Sequence, residues 1–302
     1  MIPVTFELPY LTLAGIRTRI SASNSAADRD DKKPPLTVLA LHGWLDNAAS
    51  FQPIIQALQE RAQKDPLGIH RDIDFIALDF AGHGHSEHRP KGAWYYFTEY
   101  VADVATLMDM QDWSNVHLLG HSMGGYVAQM LAAAKPEQVQ QLTVIEAMGL
   151  WFGAEGNLVT HLQKALEHRS ELRSKAPPCY KDLQRLVRMR AELNDLSLDL
   201  ARLLIERSVV ETPSGFQWRV DPRVRLASPI RFTEMHAVDM LKSIKCPMEV
   251  VLGDRGHENL LQAVNNWQHY VQNFSQITIK GGHHAHMQEP EVIARILADC
   301  AR

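Results

Sequence analysis

Gly120-His121-Ser122-Met123-Gly124 sets a serine between two glycines, two residues from each. The stretch follows the apolar run Val116-His117-Leu118-Leu119 and opens a helical pattern that stops before Pro136. A serine at a sharp strand-to-helix turn projects its hydroxyl off the end of a sheet, where a base can activate it as a nucleophile. The Met123 amide, at the helix start, is then free to donate to an oxyanion. A histidine-rich stretch, Gly282-His283-His284-Ala285-His286, directly follows another short apolar run near the end of the chain. Its His283 is the candidate base. Three histidines within four residues also invite a metal reading, but spacing places no further Cys, Asp or Glu ligand beside them, so no metal is assigned. His284 and His286 are expected to pack and to hydrogen-bond the loop.

Those residues must be held by a regular framework, and the chain alternates accordingly. Val4–Leu8 and Leu11–Ile16 read as strand, turn and strand, followed by a polar loop from Ser21 to Pro35. Leu36–Leu41, Asp74–Asp79, Val116–Leu119 and Leu142–Ile145 are short apolar runs, as expected of strands buried on both faces of a parallel sheet. Between them, Phe51, Ile54, Ile55 and Leu58, then Val101, Val104, Ala105 and Met108, share helical faces. After Glu146 the alternation stops. It resumes with Met248–Gly253, a helix from Leu260 to Tyr270, the strand Gln276–Ile279 and a closing helix after Pro290. Helical faces at Leu158, Leu162, Ala165 and Leu166, at Leu183, Leu186 and Val187, and at Leu200, Leu203 and Leu204 predict an all-helical insertion between the two parts. The expected division is a core of residues 1–149 and 246–302 with a helical cap of residues 150–245. Sites in such sheets lie at the carboxyl ends of the strands.

Composition bounds the function. With 302 residues, 45% hydrophobic and 22% charged, the chain is an ordinary globular one with ample core. A net charge of -4 argues against a dedicated nucleic-acid binder. Residues 151–245 hold 16 Lys+Arg and 12 Asp+Glu, a local excess of positive charge that sets the insertion apart. Cys179, Cys246 and Cys300 are too far apart for a zinc motif or a disulfide framework. Met1-Ile2-Pro3-Val4 shows no basic segment leading into an apolar one, and no apolar run approaches the roughly 20 residues of a bilayer span. A soluble, cytoplasmic protein is expected, with its oligomeric state left open.

The serine turn, His42-Gly43-Trp44, the Asp79–Ser86 stretch and the Gly282–His286 segment together resemble the α/β-hydrolase family over nearly the whole chain. Within it, His42–Asn47 (HGWLDN) and Asp221–Glu234 are similar to stretches of the serine hydrolase-like proteins, lid-bearing Ser-acid-His hydrolases. The resemblance implies an α/β-hydrolase fold, a mainly parallel eight-stranded sheet flanked by helices with a helical lid after the sixth strand. It also implies a triad of Ser122, His283 and an acid, with the Trp44 amide as second oxyanion donor beside Met123. Trp44 and Trp151 are candidate acyl-pocket residues, and His42 is expected to brace its loop without transferring a proton.

The acid departs from the family pattern. Relatives commonly carry Gly-x-x-Asp after the seventh strand, where this chain reads Gly253-Asp254-Arg255-Gly256. Glu146, at the end of the sixth strand, stands where some branches place the acid and is preferred, with Asp254 as the alternative.

Serine at the turn disfavours dehalogenase and epoxide-hydrolase chemistry, which use aspartate there. The expected activity is a carboxylesterase-like cleavage of a small-molecule ester through an acyl-enzyme on Ser122, without a cofactor. The rivals are thioester or C–C bond hydrolysis, perhydrolysis, a slow-turnover small-ligand sensor, and a non-catalytic interaction protein.

Overall fold

The computed structural model describes residues 1–21, 34–64, 69–150, 157–172 and 178–302. Strands β1 (Ile2–Glu7) and β2 (Thr12–Ile20) form a hairpin that leads into β3 (Leu36–Leu41), helix α1 (Gln52–Lys64) and β4 (Ile73–Leu78). Helix α2 (Phe97–Met110), β5 (Val116–His121), α3 (Met123–Ala134) and β6 (Val139–Ile145) continue the alternation. Then come α4 (Leu158–Leu172), β7 (Cys179–Tyr180), α5 (Leu183–Asn194), α6 (Leu198–Ser208), β8 (Val209–Thr212), β9 (Gly215–Trp218) and α7 (Glu234–Ser243). The chain closes with β10 (Met248–Gly253), α8 (Glu258–Trp267), β11 (Phe274–Ile279), α9 (Ala285–Gln288) and α10 (Pro290–Cys300).

Eight strands form one sheet in the order β1-β2-β4-β3-β5-β6-β10-β11. β2 runs antiparallel to β1 and β4, and every other pairing is parallel. The central strands are mostly apolar because both faces are covered, with Asp74, His117 and Thr143 among the buried polar exceptions. Alternation of side chains sends Leu39 and Leu41 to one face, against α2, α3, α7 and α8, and Val38 and Ala40 to the other, against α1 and α10. The sheet therefore holds its carboxyl-end loops on a rigid, fully packed base. No helix among the described residues is long and apolar enough to cross a membrane.

Between β6 and β10 the expectation of an all-helical insertion is corrected. β7, β9 and β8 form a small antiparallel sheet. Val209-Val210-Glu211-Thr212 and Gly215-Phe216-Gln217-Trp218 are β-branched and aromatic runs joined by Pro213-Ser214, a hairpin signal that helical periodicity in the neighbouring segments overshadows. On α4 the expected apolar face buries only Ala165, and Leu158, Leu162 and Leu166 are exposed. α5 and α6 bury their own cluster of Leu186, Val187, Ala191, Ala201, Leu204 and Ile205. α7, by contrast, buries Ala237, Met240 and Leu241 in the main core against α3. Polar bonds attach α5 and α6 to the loops beyond β3 and β4. Arg190 donates to Asp46, and Asn47 donates to the Leu204 carbonyl and the Ser208 hydroxyl, each at 2.9 Å. Arg207 meets the fully buried Asp79 at 2.7 Å.

Candidate active site

Ser122 sits between β5 and α3 at φ 48° and ψ -115°, a left-handed conformation that costs a non-glycine residue roughly 1–3 kcal/mol and gathers at functional turns. Leu45 after β3 and Glu146 after β6 are likewise left-handed, at φ 61° and 52°. Three strand exits thus carry strained turns at one end of the sheet. The flanking glycines serve close approach rather than φ. A Cβ on Gly124 would lie 2.0 Å from the Leu41 carbonyl oxygen, and one on Gly120 would lie 2.5 Å from the Gly124 oxygen. Without side chains there, α3 starts directly against β3 and β5, and its first amide, on Met123, has no partner within the helix. Trp44 lies three residues past Leu41, which pairs with Gly120, so its loop adjoins the serine turn. Its half-exposed indole donates from Nε1 to the Val224 carbonyl at 3.2 Å.

His283 follows β11 and faces the serine: the Ser122 hydroxyl donates to Nε2 at 2.9 Å. Nδ1–H in turn donates to Glu146 Oε2 at 3.2 Å. The Glu146 carboxylate also accepts the Gly253 amide at 2.8 Å and the His257 amide at 3.3 Å. Burial pushes its pKa up, but hydrogen bonds from His283 and these amides, with the His283 charge, outweigh burial and hold it below the ordinary glutamate value. Asp254 stands outside this chain of bonds. Its carboxylate accepts the Gly281 amide at 2.8 Å and lies 3.8 Å from Arg255.

Gly256 connects the two alternatives. A Cβ there would lie 2.2 Å from Glu146 Oε1, so the position commonly given to aspartate is vacant of side chain where the glutamate carboxylate sits. Trp151 lies outside the described residues. His42 braces its loop: Nε2 accepts the Phe80 amide at 3.0 Å and Nδ1–H donates to the Gly43 carbonyl at 2.7 Å.

A model of the α/β hydrolase fold family matches residues 37–290. The chain is an α/β hydrolase. A serine hydrolase-like protein of Danio rerio is 28% identical to it over 275 residues, covering 87% of this chain and 80% of that one. Serine hydrolase-like protein 2 of Homo sapiens is 27% identical, over 88% and 86% of the two chains. The crystal structure of a hypothetical protein from Pseudomonas aeruginosa PAO1 superposes with a TM-score of 0.83 at 32% identity over 99% of each chain. A thioesterase domain from the curacin biosynthetic pathway shares the fold, with a TM-score of 0.79 at 20% identity.

Behind Ser122, His283 and Glu146 lies a buried polar cluster that spacing alone does not reveal. His121 Nε2–H donates to the His283 carbonyl at 2.7 Å, so the residue before Ser122 anchors the backbone of His283. Asp46 lies 3.6 Å from His121 Nδ1 and 3.1 Å from His284 Nε2, and it accepts from Arg190. Burial alone would push the Asp46 pKa up. The facing His284 and Arg190, the hydrogen bond from His284 and the nearby His121 ring hold it well below the usual aspartate value. His284 therefore bonds across to another loop, and His286 packs fully buried against His121 and Phe51 with no hydrogen-bond partner for either ring nitrogen among the described residues. Donor atoms of Asp46, His121 and His284 lie within 4.8 Å of one another, a set that could ligate a metal, but Arg190 already brings a cation to the Asp46 carboxylate. His257, which sequence reasoning passed over, adds an amide to Glu146 and a ring centred 4.4 Å from that of His283.

Proposed function

We propose that this hydrolase cleaves small carboxylic esters through an acyl-enzyme on Ser122, in the manner of a carboxylesterase. The observation that carries the reading is the continuous chain Ser122–His283–Glu146, with links of 2.9 and 3.2 Å. Ser122 Oγ attacks the ester carbonyl carbon while its proton passes to His283 Nε2. Glu146, ionised and held by three donors, keeps Nδ1–H in place and stabilises the imidazolium that forms. The Met123 and Trp44 amides take the developing oxyanion, donors worth about 2.7–4 kcal/mol each at comparable sites. His283 returns the proton to the departing alkoxide, leaving the acyl group on Ser122. Water then attacks the acyl carbon as His283 takes its proton, and the free acid and the serine hydroxyl are released.

Within residues 150–245, the segments anchored through Arg190 and Arg207 act in this reading as the cap that shapes the acyl site, while α7 packs onto the core of residues 1–149 and 246–302. The test is hydrolysis of p-nitrophenyl acetate, butyrate and octanoate by the protein and its Ser122→Ala variant. Loss of the triad serine costs about 10⁶-fold in kcat in a comparable enzyme, so the variant is expected to lose nearly all activity. Equal rates in both proteins would overturn the reading, and the preferred chain length sizes the pocket.

A further inference from the structure

The Asp221–Glu234 stretch takes no part in the triad, yet the structure clamps its start firmly. Asp221 caps the short turn Pro222–Arg225, accepting the Arg223 amide at 2.9 Å and the Tyr95 hydroxyl at 2.8 Å. The Arg223 guanidinium bonds the same carboxylate and reaches the Arg89 and Pro90 carbonyls. The Asp221 amide donates to the Gly82 carbonyl at 2.9 Å, and the Val224 carbonyl accepts the Trp44 indole N–H. The bracket therefore spans the loops after β3 and β4, on the rim where Ser122 lies.

What the bracket presents is Arg225. Its guanidinium lies 5.9 Å from the centroid of the Trp44 ring and reaches solvent. Of the six arginines between positions 190 and 225, Arg190, Arg202, Arg207, Arg219 and Arg223 each donate to a carboxylate, side-chain amide or carbonyl. Arg225 has no hydrogen-bond or ion-pair partner among the described residues. Burial pushes its pKa down, opposed by Tyr180, with the neighbouring Arg190 charge adding a smaller downward push, and no carboxylate among the described residues pairs with it. A planar guanidinium fixed on an aromatic face and lacking an acid is preorganised for bidentate capture of an anion.

We propose that Arg225 binds an anionic group, carboxylate or phosphate, on the substrate of Ser122, making acidic esters the preferred class. This rests on the hydrolase reading of the triad. Because the guanidinium lies across an indole from the Trp44 backbone, the anion must be several bonds from the scissile carbonyl. Half-esters with a longer spacer, such as glutarate, are therefore expected to be preferred over malonate half-esters.

The experiment compares mono-p-nitrophenyl glutarate with p-nitrophenyl butyrate in the wild type, Arg225→Gln and Arg225→Lys. The ratio of kcat/KM, glutarate over butyrate, is expected to fall about tenfold or more in Arg225→Gln, chiefly through KM, with partial recovery in Arg225→Lys. An unchanged ratio, or an equal loss on both esters, overturns the proposal and leaves Arg225 a brace for Trp44. Calorimetric binding of monomethyl glutarate and of methyl phosphate to Ser122→Ala, with and without Arg225→Gln, needs no turnover and separates the two anions. Binding lost with Arg225→Gln supports the subsite even if neither ester is hydrolysed, in which case the hydrolase reading alone fails. No binding of either anion overturns the subsite.

Discussion

The exits of β6 and β10 lie side by side, with Ile145 paired to Val251, and each is followed by an acid, yet the two acids meet different fates. At the β6 exit the chain turns left-handed at Glu146, whose amide still donates to the Val251 carbonyl and whose carboxylate is buried among three donors. At the β10 exit Asp254 remains half-exposed and ties down the amide of Gly281. The space beside His283 Nδ1 can be reached from either exit, but by one carboxylate only, because any side chain at Gly256 would collide with Glu146. The identity of a triad acid is thus a question of which turn fills a small volume, and the strand that supplies it is secondary.

Replacing the acid should have the largest effect on this contrast. Glu146→Gln is expected to lower kcat by about 10²–10⁴-fold, as when a triad acid becomes its amide, while Asp254→Asn stays within about threefold. Steady-state kinetics on one p-nitrophenyl ester checks both, and a large loss in Asp254→Asn alone would exchange their roles.

The shared volume gives the next effect. Gly256→Ala drives a methyl into the Glu146 carboxylate and should cost about tenfold or more in kcat, since sub-ångström misplacement of the acid misaligns His283. Moving the acid, Glu146→Gly with Gly256→Asp, should recover at least about tenfold of the activity lost in Glu146→Gly alone. A double variant no better than the single one would show that the two exits are not interchangeable.

A smaller difference is expected in stability against acid. The folded pKa of Glu146 is lowered, so its contribution is present above the unfolded value of about 4.3 and is lost as pH falls through the lower folded value. Urea midpoints measured between about pH 6 and 3 should therefore fall less steeply in Glu146→Gln than in the wild type. Asp254→Ala, which removes the acceptor of the Gly281 amide, should lower stability by about 1 kcal/mol, the worth of one hydrogen bond.

Local patterns were legible for local reasons. Buried parallel strands need mostly apolar runs, so Leu36–Leu41 and Val116–Leu119 announce themselves, and a strained serine turn needs glycine neighbours, so Gly120 and Gly124 mark Ser122. The hairpin of β8 and β9 was equally local, and its β-branched run was lost among helical periods. The purpose of the glycines was not legible, because it depends on β3 lying 2.0 Å from where a Gly124 Cβ would stand. Nor was the pairing of Asp46 with Arg190, His121 and His284, residues up to 238 positions apart.

The order of residues alone therefore determined the class of sheet and marked the serine turn, since each is written within a few consecutive residues whose backbone needs dictate their types, and it singled out the candidate base His283 as the residue directly after the last strand. Tertiary structure decided which carboxylate reaches His283, what anchors His121, and which arginine of the Asp221–Arg225 bracket has no hydrogen-bond or ion-pair partner among the described residues. Those outcomes depend on volumes and counter-charges brought together from distant segments, and no spacing along the chain encodes which of two neighbouring turns fills a shared space.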